Sequence, residues 1–374
     1  MKFDVSSSAL LARLQAIGKV ISSKSTLPIL DNFLFQLQDN KLTITASDSE
    51  IRLITSVDVI NVEGEGLFAV SAKILLEPLK KLPEQPLTFD INDDNLEIFI
   101  YFENGKYNFI GQKGDTYPLH KPLGETTVTL SMESQVLLNG VNRTFFATAD
   151  DELRPVMNGI FFDIQAENIT FAASDGHKLV RIRCNTAQTE EIASFILPKK
   201  PAILLKSLLA KNAEPVKIQF DEKSSHLTTD NFKMICRLIE GRYPNYNSVI
   251  PLDNPNKLTI DRSSLLYALE RVIVFSNPAS SLVKLDLSED LIVITAQDID
   301  FSTSAEEKIN CRYSGMDMSI GFKGTFLIEI LTNIDADEVV LSLADPSRSG
   351  VITPLEDSEN EELLMLLMPM VLND

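Results

Sequence analysis

The sequence predicts an α+β fold made of three copies of one unit, each with two helices packed on antiparallel sheet. Three observations carry this. A strand-like string ending in aspartate occurs three times, its closing aspartates 127 and 123 residues apart. An apolar stripe at helical spacing precedes each string, and a second stripe follows it. Turn-rich segments separate the copies. Self-similarity of this kind marks a repeated structural unit.

The strings are Lys41–Asp48 (KLTITASD), Asn168–Asp175 (NITFAASD) and Asp290–Asp298 (DLIVITAQD). In the first, Leu42, Ile44 and Ala46 alternate with Thr43 and Thr45, the period of a half-buried strand. Leu10, Leu14, Ile17 and Ile21 line one face of a first helix, as the 3.6-residue period requires. Leu137, Val141 and Phe145 repeat that stripe, as do Leu265, Leu269 and Ile273. The second helix is marked by Leu75, Leu79 and Leu82, then by Leu204 and Leu208, then by Phe326, Ile330 and Ile334. It starts near Lys73, near Lys199 or Lys200, and near Lys323. Short strands with close turns favour antiparallel pairing. Pro122-Leu123-Gly124 and Asp253-Asn254-Pro255 punctuate the chain. The expected domains are therefore 1–124, 125–254 and 255–374.

Of 374 residues, 44% are hydrophobic and 23% charged, which excludes a disordered or collagen-like chain. The start, Met1–Val5, has no apolar core of a secretory signal. The longest apolar run, Leu363–Leu372, is too short for a membrane span and contains Pro369. It reads as a buried final strand, with the acidic run Glu356–Glu362 before it as a solvated loop. Cys184, Cys236 and Cys311 are widely spaced and odd in number, so reduced thiols in the cytoplasm are expected, with no disulfide framework, metal or cofactor.

The net charge is −19, and if evenly spread it would repel polyanions. It is not evenly spread. The six helix windows (7–24, 72–82, 132–146, 199–211, 262–275 and 322–334) hold 14 Lys or Arg and 4 Asp or Glu. They carry +10, and the remaining 290 residues −29. Helices of this kind can neutralise phosphates without reading bases. No window reads as a major-groove recognition helix or as an aromatic–basic platform for single strands. Contact with nucleic acid would be sequence-independent.

An enzyme is disfavoured. Asp175-Gly176-His177 is a weak acid–base signal, with no nucleophile elbow, phosphate loop or zinc motif beside it. Only His120, His177 and His226 occur, and the other repeats place Glu50 and Asp300 where His177 stands.

Several longer strings together resemble the bacterial DNA polymerase III β subunit family, the sliding clamps. They are Thr26–Leu30 (TLPIL), Ser174–Leu179 (SDGHKL), Gly241–Tyr246 (GRYPNY), Tyr313–Phe322 (YSGMDMSIGF) and Met368–Met370 (MPM). The resemblance spans the whole chain. It implies a non-catalytic processivity factor in which three clamp domains per chain close into a ring as a head-to-tail dimer. Twelve inner helices spaced about 10 Å apart would lie on a circle about 38 Å across. Subtracting roughly 10 Å of helix thickness leaves a hole of about 28 Å, enough for duplex DNA.

The implied DNA contacts are Lys24, Lys73, Arg154, Lys199 and Lys200. Pro155-Val156 stand where the family often has two tyrosines. The implied partners are duplex DNA, a second copy, the DNA polymerase III α subunit, the clamp loader, and other polymerases and repair proteins carrying clamp-binding motifs. The implied peptide groove comprises Met157, Ser174, Gly176, His177, Lys178, Leu179, Pro244, Val249, Ser349, Leu366, Leu367, Met368, Pro369, Met370 and Leu372. Ser248 replaces an often basic residue, and Val371 an arginine. Tyr107 and Phe109 are expected to meet Val274 and Phe275 of the other copy at the dimer interface.

Overall fold

The structure, a computed structural model, describes residues 1–22, 27–118, 122–124, 126–185, 192–210 and 214–372. Lys24 and His120 lie outside the described residues. Six α-helices are described: α1 (Ser7–Gly18), α2 (Ala72–Leu79), α3 (Ser134–Phe145), α4 (Lys199–Leu209), α5 (Arg262–Val272) and α6 (Gly324–Thr332). Ser6 caps α1, its Oγ accepting the Ala9 amide, and Leu10, Leu14 and Ile17 are buried. The helix ends well before residue 24 because the chain tightens after Ile17. The Val20 and Ile21 amides bond only three residues back, so Ile21 leaves the buried stripe. Pro78 removes an amide from α2, and that helix closes at Leu79. After α5 a 3₁₀ turn, Ile273–Phe275, carries the chain on.

The chain divides into two compact units, Met1–Gln135 with Ile203–Leu238, and Val136–Ala202 with Ile239–Asp374. The division cuts through the second repeat because strands of successive repeats pair. In the first unit a five-stranded antiparallel sheet runs Ile60–Glu63, Lys2–Ser6, Pro86–Ile91, Glu97–Phe102, Gly105–Ile110. The same unit holds a nine-stranded sheet. It is continuous because Ile51–Asp58 of the first repeat pairs with Phe232–Arg237 of the second, Leu53 opposite Met234. In the second unit another nine-stranded sheet forms where Lys178–Cys184 pairs with Glu361–Leu367, Val180 opposite Met365. A four-stranded sheet ends on Thr303–Asn310.

The alternation in the three strings is what buries the core. Leu42, Ile44 and Ala46 are fully buried, as are Phe171 and Ala173, and Ile292 and Ile294. Phe3 stacks on Phe89 at 4.8 Å in the first unit, and Phe162 meets Phe171 edge-on in the second. The final apolar run divides in two. Its strand stops at Leu367, and Pro369, which lacks an amide to donate, belongs to an extended tail. The acidic run is likewise not all loop. Glu361 and Glu362 are in the strand, where Glu362 sits 3.1 Å from Arg183 and 3.9 Å from Arg181. Cys184 and Cys236 are buried, and burial pushes both thiols up to about 12. No described helix is long and apolar enough to cross a membrane.

Candidate functional site

The turn between the strands Ile169–Ser174 and Lys178–Cys184 is fixed by its own side chains. Asp175 Oδ1 accepts the His177 and Lys178 amides, both at 2.9 Å. Ser174 Oγ donates to the Lys178 carbonyl at 2.8 Å and accepts the Gly176 amide. Gly176 has φ +90°, a conformation that favours glycine. A Cβ there would also stand 3.0 Å from Arg154 Nη1.

Lys178, only 5% exposed, is held between two carboxylates, Asp175 Oδ2 at 2.8 Å and Glu329 Oε2 of α6 at 3.1 Å. Its ammonium lies over the Phe326 ring at 3.9 Å. Burial opposes the charge on Asp175. The hydrogen bonds from Lys178 Nζ and from the Lys178 and His177 amides, with the Lys178 charge, outweigh it and hold the carboxyl below its ordinary range. This carboxylate is fully engaged, and no hydrogen bond among the described residues joins it to the His177 imidazole. The carboxylate is committed to the turn amides and to Lys178.

Beside the turn lies a pocket of about 390 Å³, open on one side. Met157 comes from the 3₁₀ turn Pro155–Met157, and Leu179 and Leu366 from facing positions of two paired strands. The loop after Ile239 supplies the other wall. Tyr243 stacks on Phe161 at 4.7 Å, and Tyr246 donates to Asp163 Oδ2 at 2.8 Å. Burial, joined by the neighbouring Asp163, pushes the Tyr246 phenol up to about 12, and burial raises that of Tyr243 as well. The Tyr243 hydroxyl is buried and, among the described residues, completes no hydrogen bond of normal geometry. The result is an apolar slot with a few polar groups at its rim, the form of a site for an extended peptide with apolar anchors.

Of the expected groove residues, Met157, Ser174, Gly176, His177, Lys178, Leu179, Pro244, Val249, Ser349, Leu366 and Met368 line this pocket. Leu367 instead faces the core and is fully buried. The tail is pinned elsewhere. The Met370 amide donates to the Gly321 carbonyl at 2.8 Å, and Leu372 packs over Gly321. Pro369 joins these two stretches and is not in the lining. Arg154, expected to face DNA, stands in the pocket wall, its Nε 2.7 Å from Asp151 Oδ2. Tyr243, Asn245 and Tyr246 also line the pocket. The Gly241–Tyr246 string, two aromatics flanking a proline, carried that signal.

Lys73 lies exposed in the first turn of α2. Lys199 and Lys200 open α4, with Lys199 3.6 Å from the exposed Asp150. None of the six helices has an acidic residue in its first turn. The observed helices hold 8 Lys or Arg and 3 Asp or Glu; of the other six cations of the expected windows, Lys19, Lys80, Lys81 and Lys323 lie just beyond helix ends, and Lys24 and Lys211 lie outside the described residues. Tyr107 and Phe109 sit half-buried on the edge strand Gly105–Ile110. Val274 and Phe275, in the turn after α5, are 76% and 41% exposed. No group of three or more His, Cys, Asp or Glu that could hold a metal ion occurs among the described residues.

The same architecture is found in known proteins. A Pseudomonas aeruginosa sliding clamp, solved with griselimycin bound, superposes over all of both chains with a TM-score of 0.93 at 25% identity. A Bacillus subtilis sliding clamp shares the fold at 0.92 and 23% identity, again over all of both chains. In sequence, the beta sliding clamp of Haemophilus influenzae is 28% identical over 374 residues, 98% of this chain and 99% of that protein. Family models for the N-terminal, central and C-terminal domains of the DNA polymerase III beta subunit match residues 1–121, 131–245 and 247–370 in turn. With three successive matches covering nearly the whole chain, and a fold that repeats its unit three times, this chain belongs to the DNA polymerase III beta subunit family.

Proposed function

We propose that this chain is a non-catalytic processivity clamp: a head-to-tail homodimeric ring of three clamp domains per chain, 1–124, 125–254 and 255–374, that encircles duplex DNA in the cytoplasm. It tethers the polymerase III α subunit, the clamp loader and other replication or repair proteins through the pocket beside Asp175–Lys178. The observation that carries this reading is the pair of incomplete sheets. Twice, the third strand after a repeat's first helix pairs with the last strand of the next repeat, and each time a nine-stranded sheet results. The positions left over are Thr303–Asn310 in the third repeat and Gly105–Ile110 in the first. They end sheets of four and five strands. Joining them between two copies completes a third nine-stranded sheet and removes both open edges. A head-to-tail contact that closes makes a ring.

Repeat equivalence also gives the register. Leu53 and Val180, which pair with Met234 and Met365, are themselves opposite Ala46 and Ala173. Ala305 stands so to Ala296, and Tyr107 corresponds to Met234 and Met365. Tyr107 would then face Ala305 of the partner subunit, Lys106 its Glu306, and Phe109 its Thr303, whose hydroxyl donates to the Phe275 carbonyl. Reversing charge with Lys106→Glu should weaken the dimer, and adding Glu306→Lys should restore it.

Lys73, Lys199 and Lys200 support a DNA-facing role. They occupy first turns, where the macrodipole disfavours each by about 0.3–1 kcal/mol, a cost that a phosphate neighbour would offset. Such contacts neutralise charge without sequence preference, and so permit sliding. The test is topological. Clamp loaded on nicked circular DNA should be retained and should be lost once the DNA is linearised. Equal retention on both would overturn the ring.

A further inference from the structure

Each compact unit contains one junction between successive repeats, and the two junctions are built from the same parts. A 3₁₀ turn that opens on proline supplies buried Leu30 in the first unit and buried Met157 in the second, 127 residues apart. A Ser-Asp turn follows in each, at Ser47-Asp48 and at Ser174-Asp175, again 127 residues apart. A Tyr-Pro pair completes each wall, Tyr117-Pro118 and Tyr243-Pro244, 126 residues apart. Both tyrosines are buried. The Tyr117 hydroxyl meets the backbone of Ser47, and the Tyr243 hydroxyl meets the backbone of Ser174.

One position breaks the match. Leu179, which faces Leu366 and lines the peptide pocket, corresponds to Arg52, which faces Ile235. The half-buried Arg52 side chain turns onto the wall made by the Tyr-Pro pair. Its Nη2 donates to the Pro118 carbonyl, and its Cζ lies 5.9 Å from the centre of the Tyr117 ring. Its Nε is buried and has no hydrogen bond among the described residues. Burial pulls the Arg52 pKa below its ordinary value, against the neighbouring Tyr117. A partly desolvated guanidinium with an unpaired nitrogen costs stability. What it supplies in return is exclusion. An open apolar slot invites partners. A longer, charged side chain in that slot takes the room of an apolar anchor and leaves the anchor facing a cation.

We propose that the first junction is a second copy of the peptide pocket, kept shut by the Arg52 side chain, so that each chain offers one peptide site where its repeats would otherwise make two. Once opened, it takes the same class of ligand, an extended peptide with apolar anchors. This rests on the peptide-pocket reading above, and adds to it the residue that sets the number of sites.

The test is a calorimetric titration of the full-length dimer with a synthetic clamp-motif peptide. The wild type should bind one peptide per chain and Arg52→Leu two. The second should bind more weakly, because Ser49, Glu50 and Arg237 stand where the open pocket has Gly176, His177 and Met368. Arg52→Ala, which clears the slot without adding an anchor, should also give two. The reciprocal change, Leu179→Arg, should abolish binding, and Arg52→Leu/Leu179→Arg should restore one peptide per chain. Sedimentation mass and the denaturation midpoint are followed in parallel. A lowered midpoint in both Arg52 variants, with stoichiometry still one, makes Arg52 a tether for the Tyr117 segment and overturns the proposal. Stoichiometry of one with an unchanged midpoint, and no restored binding in the double variant, overturns it equally and leaves the pocket beside Asp175–Lys178 standing. Absence of peptide binding by the wild type overturns both readings.

Discussion

The turn at Asp48 and the turn at Asp175 are the same device put to different uses. In each, one carboxylate oxygen accepts the amides two and three residues on, at 2.8 and 2.7 Å for Asp48 and at 2.9 Å twice for Asp175. In each, the preceding serine hydroxyl donates to the carbonyl at the far side of the turn. The third repeat builds it again, Asp298 accepting from Asp300 and Phe301. What differs is the residue three positions after the aspartate. Ile51 is buried in the core, Lys178 is buried in an ion-paired niche, and Phe301 is 76% exposed. The aspartate sets the backbone. Its neighbours decide whether the turn closes a core, walls a pocket or offers an apolar surface.

Four experiments, each a substitution pair, a single substitution or a titration, would break or sharpen that comparison, and the largest effect is expected at Asp175. Asp175→Ala leaves a buried ammonium with Glu329 alone and frees two amides. We expect a loss of about 3 kcal/mol, read as a lower denaturation midpoint, together with loss of clamp-motif peptide binding. Asp48→Ala removes only the backbone bonds, and should cost about 1 kcal/mol with peptide binding intact. Equal losses at the two sites would show that Lys178 adds nothing.

The exposed turn of the third repeat is expected to act between copies. Ile299, at 80% exposure, and Phe301 lie beside the edge strand that starts at Thr303. Phe301→Ser should raise the dimer dissociation constant by about tenfold, from the loss of roughly 1.4 kcal/mol of apolar burial. Monomer stability should stay the same. Analytical ultracentrifugation reads the first quantity and chemical denaturation the second.

Smaller effects separate the two closed turns. Gly176→Ala meets both a positive φ and the Arg154 guanidinium. It should cost about 1 kcal/mol and weaken the peptide, whereas Ser49→Ala, at the matching exposed position, should be close to neutral in thermal melts. The acid titration is smaller still. Asp175 has a lowered carboxyl pKa in the folded state. Its contribution is therefore complete above the ordinary aspartate value of about 4, and is lost as pH falls below that. The contribution of Asp175 to peptide affinity should decline below about pH 4. Asp175→Asn should flatten that decline.

Much of the fold was legible before any coordinates. The stripes of Leu10, Leu14 and Ile17 and of Leu265 and Leu269 are buried as their spacing requires, because one helical face must leave water. The strings at 41–48, 168–175 and 290–298 form strands for the same reason at period two. Helix ends were less legible. The stop of α1 at Gly18 depends on three-residue-back bonds that many sequences can make. The pocket was partly legible. Ser174 to Leu179 were identifiable as a motif, whereas the resemblance that implies a DNA contact at Arg154 gives no sign of which way its side chain turns, and here it stands in the pocket wall. Leu367, Met370 and Leu372 come to the groove through the same resemblance, which carries no side-chain orientation. In the structure alternate residues of a strand face opposite sides, and the tail bends toward Gly321 after Pro369.

By itself the sequence determined the unit, its threefold repetition and the concentration of cations at the helices. Periodicity and charge are properties of residues in order, and survive without any knowledge of contacts. Only tertiary structure decided which strands of neighbouring repeats share a sheet, that Lys178 is buried between Asp175 and Glu329, and that Arg13 reaches Asn231 and Lys19 reaches Ser207. Those partners lie between 3 and 218 residues apart along the chain. What joins them is close packing of buried surface, which no local pattern records.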